Sequence, residues 1–417
     1  MNRIISTYRG IAILILSLGL QFWSPGATGG FAQELAGFVG LESRLFPASP
    51  AHDSQGLSGF SLVIQPEYEY VWDNGHQVIL KPFLRLDQYD AKRTHFDVRE
   101  AYWLYYRDNW EIKAGVQKYF WGVTESQHLV DVINQTDLVG NFDGEQKLGQ
   151  PTINFSIIDD WGSLDLFVLP GFRERTFAGR DGRFRFAQPV RASRAVYEAD
   201  AEELHTDFAA RFTRTFGMVD VGLSHFYGTS REPAFRFRPA GNAGAIDIVP
   251  KYFLMNQTGL DMQLTRGGWL LKWENIVRWT QGERFLALTG GFEYTFSNIN
   301  NSGIDLGVLS EYLYDGRDQD VAPNALLPSL PPNIFDNHVF SGARLALNDV
   351  KDTSVLVGSM VNLDEGSMFW NLEADRRIND RWKATFEVRV FANTNQQEIL
   401  HQFRRDSYLQ LQINRYF

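Results

Sequence analysis

Cysteine is absent from all 417 residues, so no disulfide staples this fold and no thiol chemistry is open to it. Long apolar runs are nearly as scarce. Beyond the N-terminal leader, no stretch approaches the roughly 20 apolar residues that a membrane-crossing helix needs, which excludes a helical bundle in the bilayer. Positive charge is in deficit too: 40 Lys and Arg stand against 50 Asp and Glu, a net charge of -10 that argues against nucleic acid as a partner. The 8 histidines are scattered, and no HExxH, P-loop or GxSxG motif occurs. Ser224 and His225 are adjacent in an alternating stretch, where neighbours face opposite ways, so they make no catalytic dyad. The expectation is no enzyme, no metal site and no cofactor.

What is present is aromatic and small. Aromatics make up 14% of the chain, beside 36 glycines, as suits a membrane barrel with girdles at both interfaces and small residues in its wall. The N-terminus has the pattern of a secretory signal peptide: Arg3 and Arg9, an apolar run over 10–20, the breakers Ser24, Pro25 and Gly26, and a small-x-small site at Gly30-Phe31-Ala32. Cleavage after Ala32 removes two arginines and no acid, taking the net charge from -10 to -12. Residues 33–417 then read as one domain, without repeats or linkers.

The last eleven residues, SYLQLQINRYF, alternate strictly. Leu409, Leu411, Ile413 and Phe417 share one face; Tyr408, Gln410, Gln412, Asn414 and Tyr416 share the other. This resembles the closing strand of bacterial outer-membrane β-barrels, in which a terminal Phe serves as an assembly signal; Arg415 departs from that pattern. The resemblance implies an outer-membrane location in a Gram-negative cell and gives Phe417 that role, with the barrel assembly machinery as partner.

Similar alternation, bounded by turn residues, predicts an all-β, transmembrane antiparallel barrel of about 18 strands, or 16 if one weak hairpin merges. In the clearest hairpin, Leu62, Ile64, Tyr68, Tyr70 and Trp72 oppose Gln65, Glu67 and Glu69 across the strand, and Asp73-Asn74-Gly75 supplies the turn. A sandwich with one solvated face would show the same hairpin. The connections decide against it. With Phe417 placed at the periplasmic end, the tight turns fall on one side and the long connections 119–151, 170–203, 228–252, 315–334 and 393–404 on the other, as short periplasmic turns and long extracellular loops require. The block 99–137, with Arg99-Glu100-Ala101-Tyr102, Gly115-Val116-Gln117, Trp121-Gly122 and Asp131-Val132-Ile133-Asn134, also resembles poorly characterised outer-membrane barrel families, which implies a fold and no substrate.

Three sets of residues are candidates for chemistry. In the third outer connection, Thr124 and Gln127 make a capping-box pattern, and Leu129, Val130 and Ile133 share one face of a short predicted helix ending near Asn134. This loop resembles the third loop of general porins, which enters and narrows the barrel. That places Glu125, His128, Asp131 and Asp137, with Asp143 and Glu145, at a pore constriction; the alternative is a lid with its charges in water. In the fourth connection, seven arginines over 173–194 stand against Glu174 and Asp181. Arg173, Arg175, Arg180, Arg183 and Arg185 then form a basic vestibule that attracts anions, or else bind anionic lipopolysaccharide. Finally, parity turns Lys81, Arg85, Lys113, Arg211, Lys272, Arg278, Arg344, Lys383 and Arg389 into the lumen with Glu67, Glu69, Asp87, Glu111, Asp261, Glu274, Glu293, Glu373, Asp375 and Glu387, where opposed charges either select polar solutes or simply tie strands together. Asp315, Asp318 and Asp320 lack the spacing of a calcium loop and read as a solvated tip.

The resulting expectation is a porin-like channel for passive diffusion of small hydrophilic solutes, anions among them, surrounded by outer-membrane lipid and lipopolysaccharide, with a homo-oligomer left open. A barrel plugged by its loops, with a structural or surface-interaction role, is the alternative from another class. A lipid-active barrel enzyme is the third.

Overall fold

The computed structural model describes residues 32–239, 246–317, 331–396 and 398–417. The leader falls outside the described residues, as do Asp318 and Asp320.

In chain order the strands are β1 (Ala32–Leu45), β2 (Ser58–Val71), β3 (His76–Asp87), β4 (His95–Arg107), β5 (Trp110–Gln117), β6 (Gln150–Asp159) and β7 (Gly162–Pro170). There follow β8 (Val196–Tyr197), β9 (Thr206–Phe216), β10 (Val219–Thr229), β11 (Ala234–Pro239), β12 (Ile246–Tyr252), β13 (Leu254–Arg266) and β14 (Trp269–Thr280). The last seven are β15 (Glu283–Phe296), β16 (Asp305–Asp315), β17 (Asn337–Ala346), β18 (Ser354–Asn362), β19 (Met368–Asn379), β20 (Trp382–Ala392) and β21 (Tyr408–Tyr416). Eighteen of them form one sheet, each pairing antiparallel with its neighbours in sequence, and β1 closes the ring against β21. The other three, β8, β11 and β12, make a small sheet within the outer loops. The barrel is therefore the 18-stranded form of the predicted fold.

Closure follows from solvent. In hydrocarbon a backbone N–H or C=O finds no water, so a sheet crosses a bilayer only when it has no edge. Alternation then sorts side chains. Leu41, Phe60, Leu86, Ile153, Leu166, Leu223, Leu271, Phe292 and Leu411 are exposed outward, while Glu42, Ser61, Arg85, Asn154, Ser224, Lys272 and Gln410 on the same strands are buried inside. Aromatic rings cluster toward the periplasmic rim, with centroids 4.3 Å apart for His76 and Tyr105, 5.6 Å for Tyr105 and Trp110, and 4.7 Å for Trp269 and Tyr294. Arg415 faces outward at that same rim, opposite Trp382, where a long cationic side chain reaches the headgroups. This accounts for its departure from the apolar pattern.

The periplasmic connections are the short turns expected, and the long connections all lie at the other end. Three outer connections are short as well: residues 88–94 join β3 to β4, Gln281 and Gly282 join β14 to β15, and residues 363–367 join β18 to β19. One irregularity matters inside the barrel. The pairing of β3 with β4 slips where Lys81 opposes Glu100 and Pro82 opposes Val98, leaving Arg99 unopposed. Proline has no N–H for the ladder, so a bulge at Pro82 costs little. It lets both Arg99 and Glu100 make their ion pairs inside the lumen.

Leu223 lies mid-strand on the outer face. Replacing it with Arg is expected to destabilise the barrel in lipid by about 2–4 kcal/mol, the range for a midplane cation on a lipid-facing strand. Equilibrium unfolding in bilayers measures this; unchanged stability would mean that the face is not in hydrocarbon.

Candidate functional site

β5 ends at Gln117, and residues 118–149 turn back into the barrel rather than outward. The loop carries Trp121, Leu129, Val130, Val132 and Ile133, and these form one buried cluster with wall residues Phe167, Leu169, Ala209, Phe226, Met255, Ile276 and Ala287. Apolar wall positions on an inward face gain burial only if something apolar covers them, and this loop does so. The approach is close: a Cβ on Gly259 would stand 2.8 Å from the Val130 Cγ1 atom.

The loop contains no helix, contrary to the capping-box expectation. In place of the expected helix, the amides of Val123 to Ser126 and of Val130 donate to wall carboxylates. Glu274 on β14 accepts hydrogen bonds from the Val123 and Thr124 amides at 2.7 and 3.0 Å and from the Thr124 hydroxyl at 2.7 Å. Its other oxygen accepts from the Val130 amide at 3.3 Å. Glu311 on β16 accepts from the Glu125 and Ser126 amides, both at 2.8 Å, and from the Ser126 hydroxyl at 2.6 Å. Bonds to a charged acceptor are each worth about 1.5–3 kcal/mol, enough to replace a helical ladder over one turn. Gly122, at φ +138, passes so near Glu274 that a Cβ there would stand 2.9 Å from its Oε1 atom.

The four residues expected at the constriction are not gathered at one point. Glu125 reaches the wall, 2.7 Å from Arg344 and 3.6 Å from Lys272. His128 lies between Glu145 (3.4 Å) and Glu274 (4.0 Å). Burial opposes its charge, but the two carboxylates outweigh that and raise it to about 10. Asp131 is buried against Lys147 at 3.1 Å and joins the two arms of the loop. Asp137 is fully buried, 2.5 Å from Arg99 and 2.7 Å from the Thr176 hydroxyl, so it fastens this loop to the wall and to the next loop. The loop tip lies across the barrel on β20 and β21: Asp143 meets Arg389 at 3.1 Å, and Asn141 meets the Tyr408 hydroxyl at 3.2 Å.

The arginines of the fourth outer loop are largely occupied. Arg173 pairs with Asp97 at 2.7 Å, and Arg183 is buried against Asp406 at 2.6 Å. Arg185 donates to the carbonyls of Phe186 and Ala187. Arg180 is exposed, and Arg175 lies half-buried beside Gln135. These five do not form one free basic surface.

The lumen charges fall on the face that parity assigns them, and they are paired. Lys81 meets Glu67 (2.7 Å) and Glu100 (3.0 Å), Arg85 meets Glu42 (3.0 Å), and Lys113 meets Glu111 (2.6 Å). Arg211 binds Asp261 through two parallel bonds of 2.8 Å. Lys272 stands 3.8 Å from Glu293, and Arg389 meets Glu373 at 2.6 Å and Glu387 at 3.0 Å. Not all are dry. Glu67, Arg344, Glu373, Asp375 and Lys383 keep between 35% and 42% of their side-chain surface open, so the lumen has solvent-accessible space lined by both signs of charge. Ser224 is buried inside while His225 faces outward beside Thr258, as alternation requires.

Two hubs escaped the sequence reading. Glu311 is one. Glu42 is the other, holding Arg93 (2.6 Å), Arg85 (3.0 Å) and Arg44 (3.2 Å), while the Arg93 Nε atom donates to the Val139 carbonyl of the inward loop at 2.8 Å. Extending parity through 35–46 and 305–315 would have turned both carboxylates inward.

No protein-family model matches this chain, and no curated protein matches it. Solved structures do resemble it. Pseudomonas aeruginosa OccK9 (OpdG) superposes with a TM-score of 0.52 at 12% identity, over 93% of this chain and 97% of that one. A BenF-like porin from Pseudomonas fluorescens Pf-5 gives 0.52 at 9% identity, over 93% and 98%. Pseudomonas aeruginosa OccK11 (OpdR) gives 0.50 at 11%, over 95% and 99%. At such identities the likeness is one of fold.

Replacing Glu274 with Ala leaves the Val123, Thr124 and Val130 amides without their acceptor, while the Thr124 hydroxyl keeps the Gln127 carbonyl at 2.6 Å. Hydrogen-exchange protection over 123–130 is expected to fall by at least about tenfold; full protection would show that apolar packing alone holds the loop.

Burial, reinforced by the nearby Glu387 and Glu145 charges and opposed by Arg389, raises Asp143 to about 6. A carboxyl raised in the docked state binds its proton more tightly there than in a free loop. The tip is therefore most firmly docked below about pH 4, and that stabilisation is lost as pH rises through 6. Protection of 141–145, corrected for intrinsic exchange, is expected to be greater at pH 4 than at pH 7. Asp143→Asn should remove the difference.

Proposed function

We propose that this chain is a channel of a Gram-negative outer membrane that passes small hydrophilic solutes by diffusion, with loop 118–149 narrowing the lumen. One observation carries the reading: an inward loop is tied by its backbone to Glu274 and Glu311 on the wall, while wall charges elsewhere stay open to solvent. A loop so fixed sets a passage of constant width, and opposed charges beside it order water and polar solutes. Glu125 is the constriction residue that faces wall cations; Asp131 and Asp137 are positioning residues. Anion preference rests on Arg175 and its neighbours rather than on a broad basic vestibule. The porin fold of the solved neighbours supports the outer-membrane location and the channel. Within this reading, residues 1–32 are removed on export, Phe417 marks the chain for barrel assembly, outer-membrane lipid surrounds the wall, and no catalysis takes place.

A second reading has its own support. The outer mouth holds Phe142, Phe184, Phe186, Phe391, Leu400 and Phe403 in one apolar cluster drawn from three loops and the wall, which favours a plugged barrel serving as a surface or structural protein.

Single-channel recording in a planar bilayer separates the two. The mature chain is expected to give steps of stable conductance, and a KCl gradient should give a reversal potential of the sign for chloride preference. Inserted, folded protein that passes no current would establish the plugged barrel instead.

A further inference from the structure

Among the described residues, one stretch of the wall lacks interstrand pairing, and it lies at hydrocarbon depth. β2 pairs with β1 without a break from Ser58 to Val71. On its other side β2 pairs with β3 at Ile64 with Leu84 and again at Tyr68 with Leu80, and none of the three residues between is paired. The same register sets Pro66 opposite Pro82. Neither has an N–H. At a non-hydrogen-bonded position of the ladder two prolines would cost it nothing; the loss of three successive pairs marks a hydrogen-bonded position with both donors missing. No other barrel ladder among the described residues opposes two prolines, and the others run unbroken or slip by a single residue. Pro66 falls inside the outward run from Phe60 to Tyr70 and Pro82 inside that from Val78 to Leu86, so two carbonyls without donors stand in the lipid-facing band, where each is costly. β3 is disturbed on its far side as well, where its pairing with β4 slips past Arg99. Behind the gap the inner face carries Gln65, Glu67, Lys81 and Phe83, and Glu67 keeps 39% of its side chain open.

We propose that the gap between β2 and β3 is a lateral portal, through which a single-chain amphiphile passes between the lumen and the bilayer. β2 is fixed to β1 along its whole length, so β3 is the strand that moves. From Ile64 to Tyr68 the free stretch is about 13 Å long at about 3.3 Å per residue, longer than an alkyl chain is wide. The bonded pairs at either end keep the parting local. The carbonyls of Pro66 and Pro82 set the class of solute: they accept hydrogen bonds from a head-group hydroxyl in transit, and lumen water beside Glu67 takes that place at rest. Ile64, Pro66, Pro82 and Leu84 line the path of the chain into lipid. A solute with both a polar head and an alkyl chain fits this sequence of surfaces; a wholly polar one stays in the lumen. The portal goes beyond the channel reading and holds whether or not the lumen conducts.

The test folds the mature chain into phosphatidylcholine vesicles containing hexadecanol with a diazirine in mid-chain, a probe held in the membrane by its length. After photolysis, mass spectrometry reads labelling of the inward Gln65, Glu67 and Phe83 relative to the outward Ile64 and Leu84. The natural chain is expected to be labelled on both faces. Pro66→Val with Pro82→Val restores both N–H donors and keeps the outer face apolar; it should lower the inward-to-outward ratio by at least about tenfold and leave the two new amides slow to exchange. Pro82→Val alone restores one donor, should give a smaller fall of the same sign, and serves if the double variant does not fold. Inward labelling absent from the natural chain, or a ratio unchanged in a folded variant, overturns the portal.

Discussion

A backbone amide that cannot reach water must reach an acceptor, and most of this structure follows from that constraint. In the wall it closes eighteen strands into a ring, since an open edge in hydrocarbon would leave a row of unpaired groups. Inside the ring the same constraint acts on a segment whose own pairing is limited to turns and one isolated bridge, Thr136 with Lys147. Residues 118–149 lie against apolar wall positions, and where their amides lose solvent the carboxylates of Glu274 and Glu311 take them. An acid in a barrel wall is costly unless compensated, and a loop amide in the interior is costly for the same reason. Each removes the penalty of the other.

Charge pairing extends the argument around the lumen. Buried ion pairs contribute modestly to stability, because desolvation offsets most of the Coulomb attraction, but a partner left alone is expensive. Arrangements such as Glu42 with three arginines, or Arg389 with three carboxylates, therefore fix geometry more than they add stability. They join loops to wall and wall strands to one another, while the half-exposed pairs near Arg344 and Lys383 are left to face solvent.

Much of this was legible in the sequence because a strand has a period of two and the bilayer enforces it. The final strand shows it most plainly: Leu411 outside and Gln410 inside are read directly from alternation. The inward loop was legible as a place, from its length and its apolar residues, yet not as a conformation. Thr124 and Gln127 satisfy a helix-start pattern, but the acceptors that won lie about 150 and 185 residues away in β14 and β16, where no local pattern reaches. The arginines of 173–194 show the same limit. Their number was plain, and their partners Asp97, Asp406 and Gln135 depend on loop packing. Parity also fails to foresee a bulge, so Arg99 and Glu100 facing inward together needed the structure.

The seam between β1 and β21 sets a schedule. Phe38 lies opposite Tyr416, and Phe417 donates its amide to the Gly37 carbonyl, so the first described strand waits for the last residues of the chain before it has both neighbours. Contacts of such sequence separation are slow to form, because the whole intervening chain must be ordered first. Until that seam forms, the outer sides of β1 and β21 are the two open edges of the sheet. Closure of the ring is therefore a late event: pairing residues 38–45 with residues 409–416 removes the last two open edges of the sheet at once.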